Sequence, residues 1–343
     1  MKYLIFRTDR IGDFLITSPL INAIKKSNTN TEVFVVSSNK NNLFIVNCNF
    51  VDKVFLLKNN NLLNKIKLYF ELKKYSFDAI IVSDKKNRSI LLTLFLKSRQ
   101  KVFNVSKIFQ KRILKLFFNN VYLDNDHQIN SPIKTILNNN CNSLNITLKD
   151  ENFHYLSKNQ FLNNYKLSKG LNLDNNEYVI IHCDEKWELE NYSKNYKKAS
   201  SMTDLKVNTK MFVNFLLDFS EQTSKNIILT TGTINTKLID GIKLLSKKIN
   251  DNVYEINLKG RKAHLLLNQD FFAISHLISK CALFVSCHGA FTHIASIYKV
   301  KILDIIENSK SNHYNRITHH MIKYKSLNRD NFAKLSKTII NNS

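Results

Sequence analysis

Short runs of β-branched and aromatic residues alternate with helix-length stretches along nearly the whole chain, and this alternation restricts the fold more than any other feature. In the first half the runs are Tyr3–Phe6, Glu32–Ser37, Lys53–Leu57, Asp78–Ser83 and Lys101–Val105. Between them the pattern predicts helices after Gly12, near Asn42–Asn47, over Leu62–Lys74 and over Arg88–Lys97, and Lys107–Leu144 reads as mostly helical. The second half repeats the grammar, with strands at Tyr178–His182, Asn226–Thr231, Val253–Leu258, Ala282–Ser286 and Lys301–Ile306 and helices between them. Continuous apolar strands separated by helices imply parallel sheets covered on both faces. The expected fold is α/β: two Rossmann-like, doubly wound parallel-sheet domains facing a cleft. The expected bounds are 1–165 and 175–325, joined by a Lys- and Asn-rich linker near Glu151–Asn176. A last amphipathic helix within 329–343 is expected to return to the first domain.

Composition narrows the function classes. A chain of 343 residues with 43% hydrophobic residues can fill two cores, which excludes disorder. No apolar stretch approaches the ~18 residues of a membrane span. Arg7, Asp9 and Arg10 interrupt the first apolar run, against a signal peptide, so a cytoplasmic location is expected. Five cysteines without CxxC spacing are expected to be free thiols. The net charge of +24 draws a chain toward polyanions such as nucleic acid, acidic lipid headgroups or phosphorylated substrates. A general Lys and Asn bias of the loops would produce the same number.

The residues around the first turn carry the most chemistry. Tyr3–Phe6 reads as a buried strand, Thr8–Gly12 as a tight polar turn, and Asp13 then falls where a strand's carboxyl end meets a helix. Open α/β sheets bind ligands at such places. A carboxylate there can serve as a general base or merely cap the helix. Asp9 reads as the cap or turn residue, and Gly12 as a position requiring an unhindered backbone. In the second half, Gly289 and Ala290 open a helix after Ala282–Ser286 and offer backbone N–H groups to an anion, with Thr292 adding a hydroxyl. Thr231 and Gly232 end a strand and can line the same pocket, and Arg261 after Gly260 is a possible phosphate contact. His182, Cys183, Cys287, His288 and His293 all fall near strand ends, yet no metal-ligand spacing is present, so no metal is expected.

In order and spacing these pieces resemble glycosyltransferase family 9, the lipopolysaccharide heptosyltransferases, which have the GT-B fold. The resemblance is strongest at Arg7-Thr-Asp-Arg-Ile-Gly-Asp13 with Thr17-Ser-Pro19-Leu-Ile-Asn-Ala-Ile24. Tyr75–Asp78 with Arg88-Ser89, Ile228–Gly232, Asn257–Gly260 and Gly289–Ala295 support it. One departure stands out. The family's Asp-Ser/Thr-Gly-Pro-x-His-x-Ala turn is here Cys287-His-Gly-Ala-Phe-Thr-His-Ile-Ala295, which reads as having lost the aspartate and gained one residue.

The resemblance implies an inverting, metal-independent transferase without a cofactor, moving a heptose or related sugar from a nucleoside-diphosphate donor such as ADP-heptose. The implied acceptor is a lipopolysaccharide core or similar phosphorylated, lipid-linked glycan, with peripheral contact to the anionic inner face of the cytoplasmic membrane. It makes Asp13 the base, and Lys186, before the only tryptophan, a cation for the departing diphosphate, with His288 to Ala290 and His293 near the nucleotide. Two alternatives remain: a GT-B transferase with another donor sugar, and a noncatalytic polyanion-binding protein. The second lacks any recognition-helix, RNP or zinc-finger signature, and nucleic acid is not expected as a partner.

Overall fold

The computed structural model describes residues 1–58, 61–124, 132–156, 178–189 and 202–343. The chain divides into two compact units, Met1–Tyr155 with Asn312–His320, and Leu156–Ser311 with Met321–Ser343.

The first unit runs β1 (Lys2–Phe6), α1 (Ile11–Ser27), β2 (Glu32–Ser38), α2 (Asn42–Ile45), β3 (Lys53–Leu57), α3 (Leu62–Lys73), β4 (Phe77–Val82), α4 (Asn87–Leu94), β5 (Ser98–Val105), α5 (Ile108–Lys115), β6 (Val121–Leu123) and α6 (Ile133–Ser143). Its six strands form one parallel sheet in the order β3-β2-β1-β4-β5-β6. Leu4, Phe6, Val36 and Val82 bury one face of that sheet under Leu68 and Leu72 of α3, Ile90 of α4 and Leu114 of α5. On α1, Pro19 lacks an N–H for the Leu15 carbonyl, and the Ser18 hydroxyl donates to that oxygen instead, at 2.6 Å.

The chain continues with β7 (Tyr178–Cys183), α7 (Thr209–Thr223), β8 (Asn226–Thr231), α8 (Lys237–Leu244), β9 (Lys247–Asn250), β10 (Val253–Leu258), β11 (Arg261–Leu266), α9 (Phe271–Lys280), β12 (Leu283–Cys287), α10 (Ala290–Ile297), β13 (Lys301–Ile306), α11 (Ser311–Thr318), β14 (Tyr324–Asn328) and α12 (Phe332–Ile340), all of the second unit except α11, which belongs to the first from Asn312 on. The second unit's sheet has the order β14-β13-β12-β7-β8-β11-β10-β9 and is parallel except for the antiparallel β9-β10-β11 edge.

The α/β class and the parallel sheets are as expected, and several elements differ. The pattern gave no sign of β6, β9, β11, β14 or α11, and β14 rather than Lys301–Ile306 forms the sheet's edge. Within Lys107–Leu144 the chain forms two separate helices with β6 between them, and part of the long helix expected over His127–Asn140 lies outside the described residues. Most of the expected linker, 157–177, lies outside them too. The final helix stays with the second unit: Phe332 packs on Phe212 and Phe215 at ring distances of 5.8 and 5.6 Å, with Trp187 beside it. The segment that joins the first unit is Asn312–His320, where Arg316 pairs with buried Asp124 and His320 lies 4.6 Å from Phe153. The pair explains the assignment, because a buried carboxylate holds its cation.

Candidate functional site

Each sheet has one place where the strand order reverses. In the first unit it lies between β1 and β4, since the chain leaves β1 toward β2 and β4 toward β5. In the second it lies between β7 and β12, for the chain leaves β7 toward β8 and β12 toward β13. Loops at the carboxyl ends of such strand pairs diverge and leave a crevice for a ligand.

At the first switch point the loops are pinned by Asp84. Its buried carboxylate accepts hydrogen bonds from the hydroxyls of Thr8 at 2.5 Å and Ser89 at 2.7 Å and from the Lys86 N–H at 3.1 Å. Arg7, also buried, donates through Nε to the Asp13 carbonyl at 2.8 Å and through Nη1 to the Ser83 carbonyl. The same guanidinium stands 3.5 Å from Asp9 and 3.7 Å from the Asp13 carboxylate. Asp13 therefore has a fixed main chain and a side chain that is 39% exposed. It lines a cavity of about 1140 Å³. Eight Lys or Arg residues line that cavity, Lys40, Lys86 and Arg88 among them, against two carboxylates, Asp9 and Asp13. Such a lining favours an anion.

Of the two roles expected for Asp9, cap or turn residue, it has the second: Arg10 holds the cap position, and it is Asp13 that accepts the Arg10 N–H, at 3.1 Å. Asp9 is largely buried and its pKa is raised to about 6, by desolvation first, with Arg7 opposing and Asp13 and Asp84 adding to the rise. Gly12 lies in the helical first turn of α1 and has no positive φ, so the turn makes no conformational demand for glycine.

At the second switch point the parts are knit together. Lys186 follows β7 on a short turn, and its ammonium donates to Asp184 and to the His288 carbonyl, both at 2.9 Å. Burial alone would lower its pKa; Asp184, by charge and hydrogen bond, reverses this and raises it, so the ammonium form is held. Trp187 is core, fully buried, with its indole N–H on the His182 carbonyl at 2.9 Å. It anchors the turn rather than offering a stacking face. Gly289 lies against the Lys186 ammonium, 3.3 Å from where a Cβ would sit, and Gly232 lies as closely against Asp184 and Glu185. Thr231 ends β8 beside them, and Ala290 opens α10, where the Thr292 N–H bonds back to the Gly289 carbonyl at 3.1 Å and the N–H groups of Ala290 and Phe291 precede the first acceptor of the helix.

His288 does something the sequence did not suggest. Its Nδ1 lies 2.6 Å from Asp304, a fully buried carboxylate on β13 that also accepts from the hydroxyls of Tyr324 at 2.9 Å and Thr292 at 3.2 Å. Thr292 is thus turned inward, its oxygen also taking the Gly289 N–H at 3.3 Å, and does not add a hydroxyl for a ligand. His293 is buried, its ring 5.3 Å from that of His288. Counted back from His293, His288 holds the place that the resemblance gives to the aspartate, so no inserted residue is needed.

Arg261 falls away from this group. Lys259 and Gly260 both have positive φ and close a hairpin between β10 and β11, so Arg261 begins a strand instead of ending a loop. Because β11 runs parallel to β8, Arg261 lies at the opposite end of the strands, level with Lys225 and ~20 Å of strand from Thr231. Its guanidinium there donates to the Ser220 carbonyl. All five cysteines are free and buried, and burial pushes the Cys287 thiol up to about 12. His182 is buried against Thr230 at 2.9 Å, with its pKa lowered to about 4 by desolvation. Among the described residues no group of three or more His, Cys, Asp or Glu is placed to hold a metal ion, and no helix is long and apolar enough to cross a membrane.

Sequence reasoning missed Asp304, Asp184 and Arg329. The first had a signal, a lone acid in the apolar run Lys301–Ile306. Arg329 had none. It is buried and donates to the carbonyls of Lys186 and Thr203 and to the Cys287 sulfur, tying the Lys186 turn to the end of β12.

This is the two-domain α/β fold of the heptosyltransferases. E. coli heptosyltransferase WaaC with ADP matches over 100% of both chains at 13% identity and a TM-score of 0.65. E. coli ADP-heptose lps heptosyltransferase II matches over 100% of this chain and 97% of its own at 11% identity and a TM-score of 0.64. A glycosyl transferase family 9 structure from Veillonella parvula matches over 100% and 98% at 9% identity and a TM-score of 0.64. No model of a known protein family matches the chain, and no curated protein matches it in sequence.

Proposed function

We propose that the protein is a glycosyltransferase that moves a sugar from a nucleoside diphosphate to a phosphorylated acceptor, acting in the cytoplasm at an anionic membrane surface. The observation that carries this reading is the pairing of two unlike switch-point sites, an open basic cavity with Asp13 in its wall and a compact cationic turn at Lys186 and Gly289. The donor reading draws support from WaaC, which has been solved with ADP and with ADP-2-deoxy-2-fluoro heptose.

In this mechanism Asp13 removes the proton from an acceptor hydroxyl as the new C–O bond forms. The oxygen attacks the anomeric carbon from the face opposite the leaving group, and the configuration inverts. The nucleoside diphosphate departs with the electron pair of the broken bond. Lys186 and the first-turn N–H groups of α10 meet its growing charge, in place before the bond breaks. No metal enters these steps. The acceptor's phosphates bind the lysines and arginines of the cavity, and a lipopolysaccharide core has that chemistry.

A second reading keeps the reaction and changes the donor sugar. It rests on His288: an imidazole backed by Asp304 stands where the resemblance expects a carboxylate, and it offers a sugar hydroxyl or a phosphate a different partner. A thermal-shift series tests both. ADP-heptose, UDP-sugars and free nucleoside diphosphates are compared, and a ligand at 100 times its Kd stabilises by about 2.7 kcal/mol. Stabilisation by ADP-heptose supports the heptose donor, by another nucleotide sugar the second reading, and by none of them the noncatalytic class.

A further inference from the structure

A surface helix ordinarily buries one apolar stripe and shows water a polar one. Two helices of the first unit carry an apolar stripe on each side. α3 buries Leu68 and Leu72 on the sheet, yet Leu63, Ile66 and Phe70, at i, i+3 and i+7, are exposed. α5 buries Leu114, yet Phe109, Ile113 and Leu116, at i, i+4 and i+7, are exposed. Between them in sequence, Leu91 on α4 and Phe95 just beyond it are 57% and 72% exposed. All three helices cover the same sheet face, so these residues share one outer layer. Every exposed phenylalanine among the described residues, Phe70, Phe95, Phe109 and Phe117, belongs to this layer.

The charge around it is one-sided. The stretch 62–117 holds 14 Lys or Arg against 3 Asp or Glu. A second copy of the chain seated on this layer would set like charge against like, which a two-fold contact cannot avoid. The layer also continues into the candidate acceptor cavity, since Lys65 of α3, Leu91 of α4 and Gln110 of α5 line both. Apolar side chains ringed by lysines suit the boundary between acyl chains and anionic headgroups.

We propose that the outer face of α3, α4 and α5 seats the protein on an anionic lipid bilayer, its leucines and phenylalanines entering between the headgroups and its lysines and arginines binding their phosphates. This places the rim of the Asp13 cavity at the lipid surface. The docking face stands on its own observations, while its use in delivering a lipid-linked acceptor rests on the transferase reading.

Co-sedimentation of the full chain with vesicles tests it, using phosphatidylcholine alone and phosphatidylcholine mixed with phosphatidylglycerol. The expected result is binding to the mixed vesicles only, weakened about tenfold or more by Phe70→Ser, Phe95→Ser, Phe109→Ser and Phe117→Ser together. Lys67→Gln, Arg112→Gln and Lys115→Gln together should weaken it at least as much and flatten its salt dependence. The charge variants carry the test alone if the phenylalanine variant does not fold. No binding to mixed vesicles at low salt overturns the proposal, and so does binding indifferent to both sets of changes. A lipid-free dimer dissolved by the same substitutions, or tighter binding to single-stranded RNA than to vesicles, also overturns it. Nucleotide titration of the same variants separates the two readings: vesicle binding without nucleotide binding sinks the transferase and leaves the docking face, and the reverse result does the opposite.

Discussion

The two switch points arrange their charged and polar groups in opposite ways. In the first unit the cations are side chains on the wall of an open cavity, and the carboxylate that matters is partly exposed. In the second unit the polar groups are bonded to one another: half-buried Lys186 to Asp184, His288 to Asp304, and buried Arg329 to main-chain carbonyls. An exposed cation can move to meet phosphates at varied positions and is worth little to the fold. A buried, hydrogen-bonded cation cannot move, and removing it leaves its partner stranded. On the function proposed above, the first arrangement would serve the acceptor and the second the diphosphate. In the second unit, site and stability are one system.

The largest expected effect tests the first half of that contrast. Asp13→Asn should lower the turnover of a nucleotide sugar by about 10²–10⁴-fold. Its melting temperature and nucleotide affinity should stay near wild type, because the Arg10 N–H keeps an acceptor. Normal turnover in Asp13→Asn removes the base assignment. Lys186→Met should move two readouts together. Nucleoside diphosphate affinity, by calorimetry, falls about 30-fold or more, and stability falls by about 2–4 kcal/mol as Asp184 loses its cation. A loss of affinity with unchanged stability would break the comparison.

His288→Asn is a smaller step. Leaving the buried Asp304 carboxylate with hydroxyl partners only should cost about 1–3 kcal/mol in denaturant unfolding. His288→Asp, which restores the carboxylate of the resembled motif, should cost more by setting two acids together. Equal stability of the two variants would mean that Asp304 does not feel a carboxylate placed at this position.

The smallest effect concerns Asp9. Its folded pKa of about 6 lies above the ordinary 3.8, so the unfolded chain gives up the proton first. The sign follows: stability falls as pH rises from about 4 to 6 and stays reduced above that range. Asp9→Asn should therefore stabilise the protein by about 1–2 kcal/mol at pH 7 and by little at pH 4 in parallel unfolding curves. A gain independent of pH would show that the burial of Asp9 is not what is being relieved.

Much of this was legible in the chain. The strands that flank each switch point, β1, β4, β7 and β12, are buried on both faces and read as unbroken apolar runs. Asp13, Lys186 and Gly289 follow such runs directly, so their places come from local order. What failed was non-local or weakly patterned. β14 is a half-exposed edge strand, Tyr324–Asn328, with little apolar signal, and β6 has three residues. Arg261 was misplaced because the turn at Lys259 and Gly260 reverses the chain, and a two-residue reversal moves a side chain to the other end of a sheet. The partner of His288, Asp304, and the second acceptor of the Lys186 ammonium, the His288 carbonyl, come from neighbouring strand ends, and no spacing in the sequence announces a contact made across a sheet.

One guanidinium gives the order of synthesis a meaning. Arg329 ties down a loop emitted more than 140 residues earlier, at Lys186, together with Cys287 and Thr203. A polypeptide halted at residue 328 would already contain Lys186, Asp184, His288 and Gly289, yet the loop bearing Lys186 would lack its clamp. The turn's side chains and the bonds that fix its main chain are thus written far apart in the sequence, and cutting the chain before Arg329 would remove the second while leaving the first.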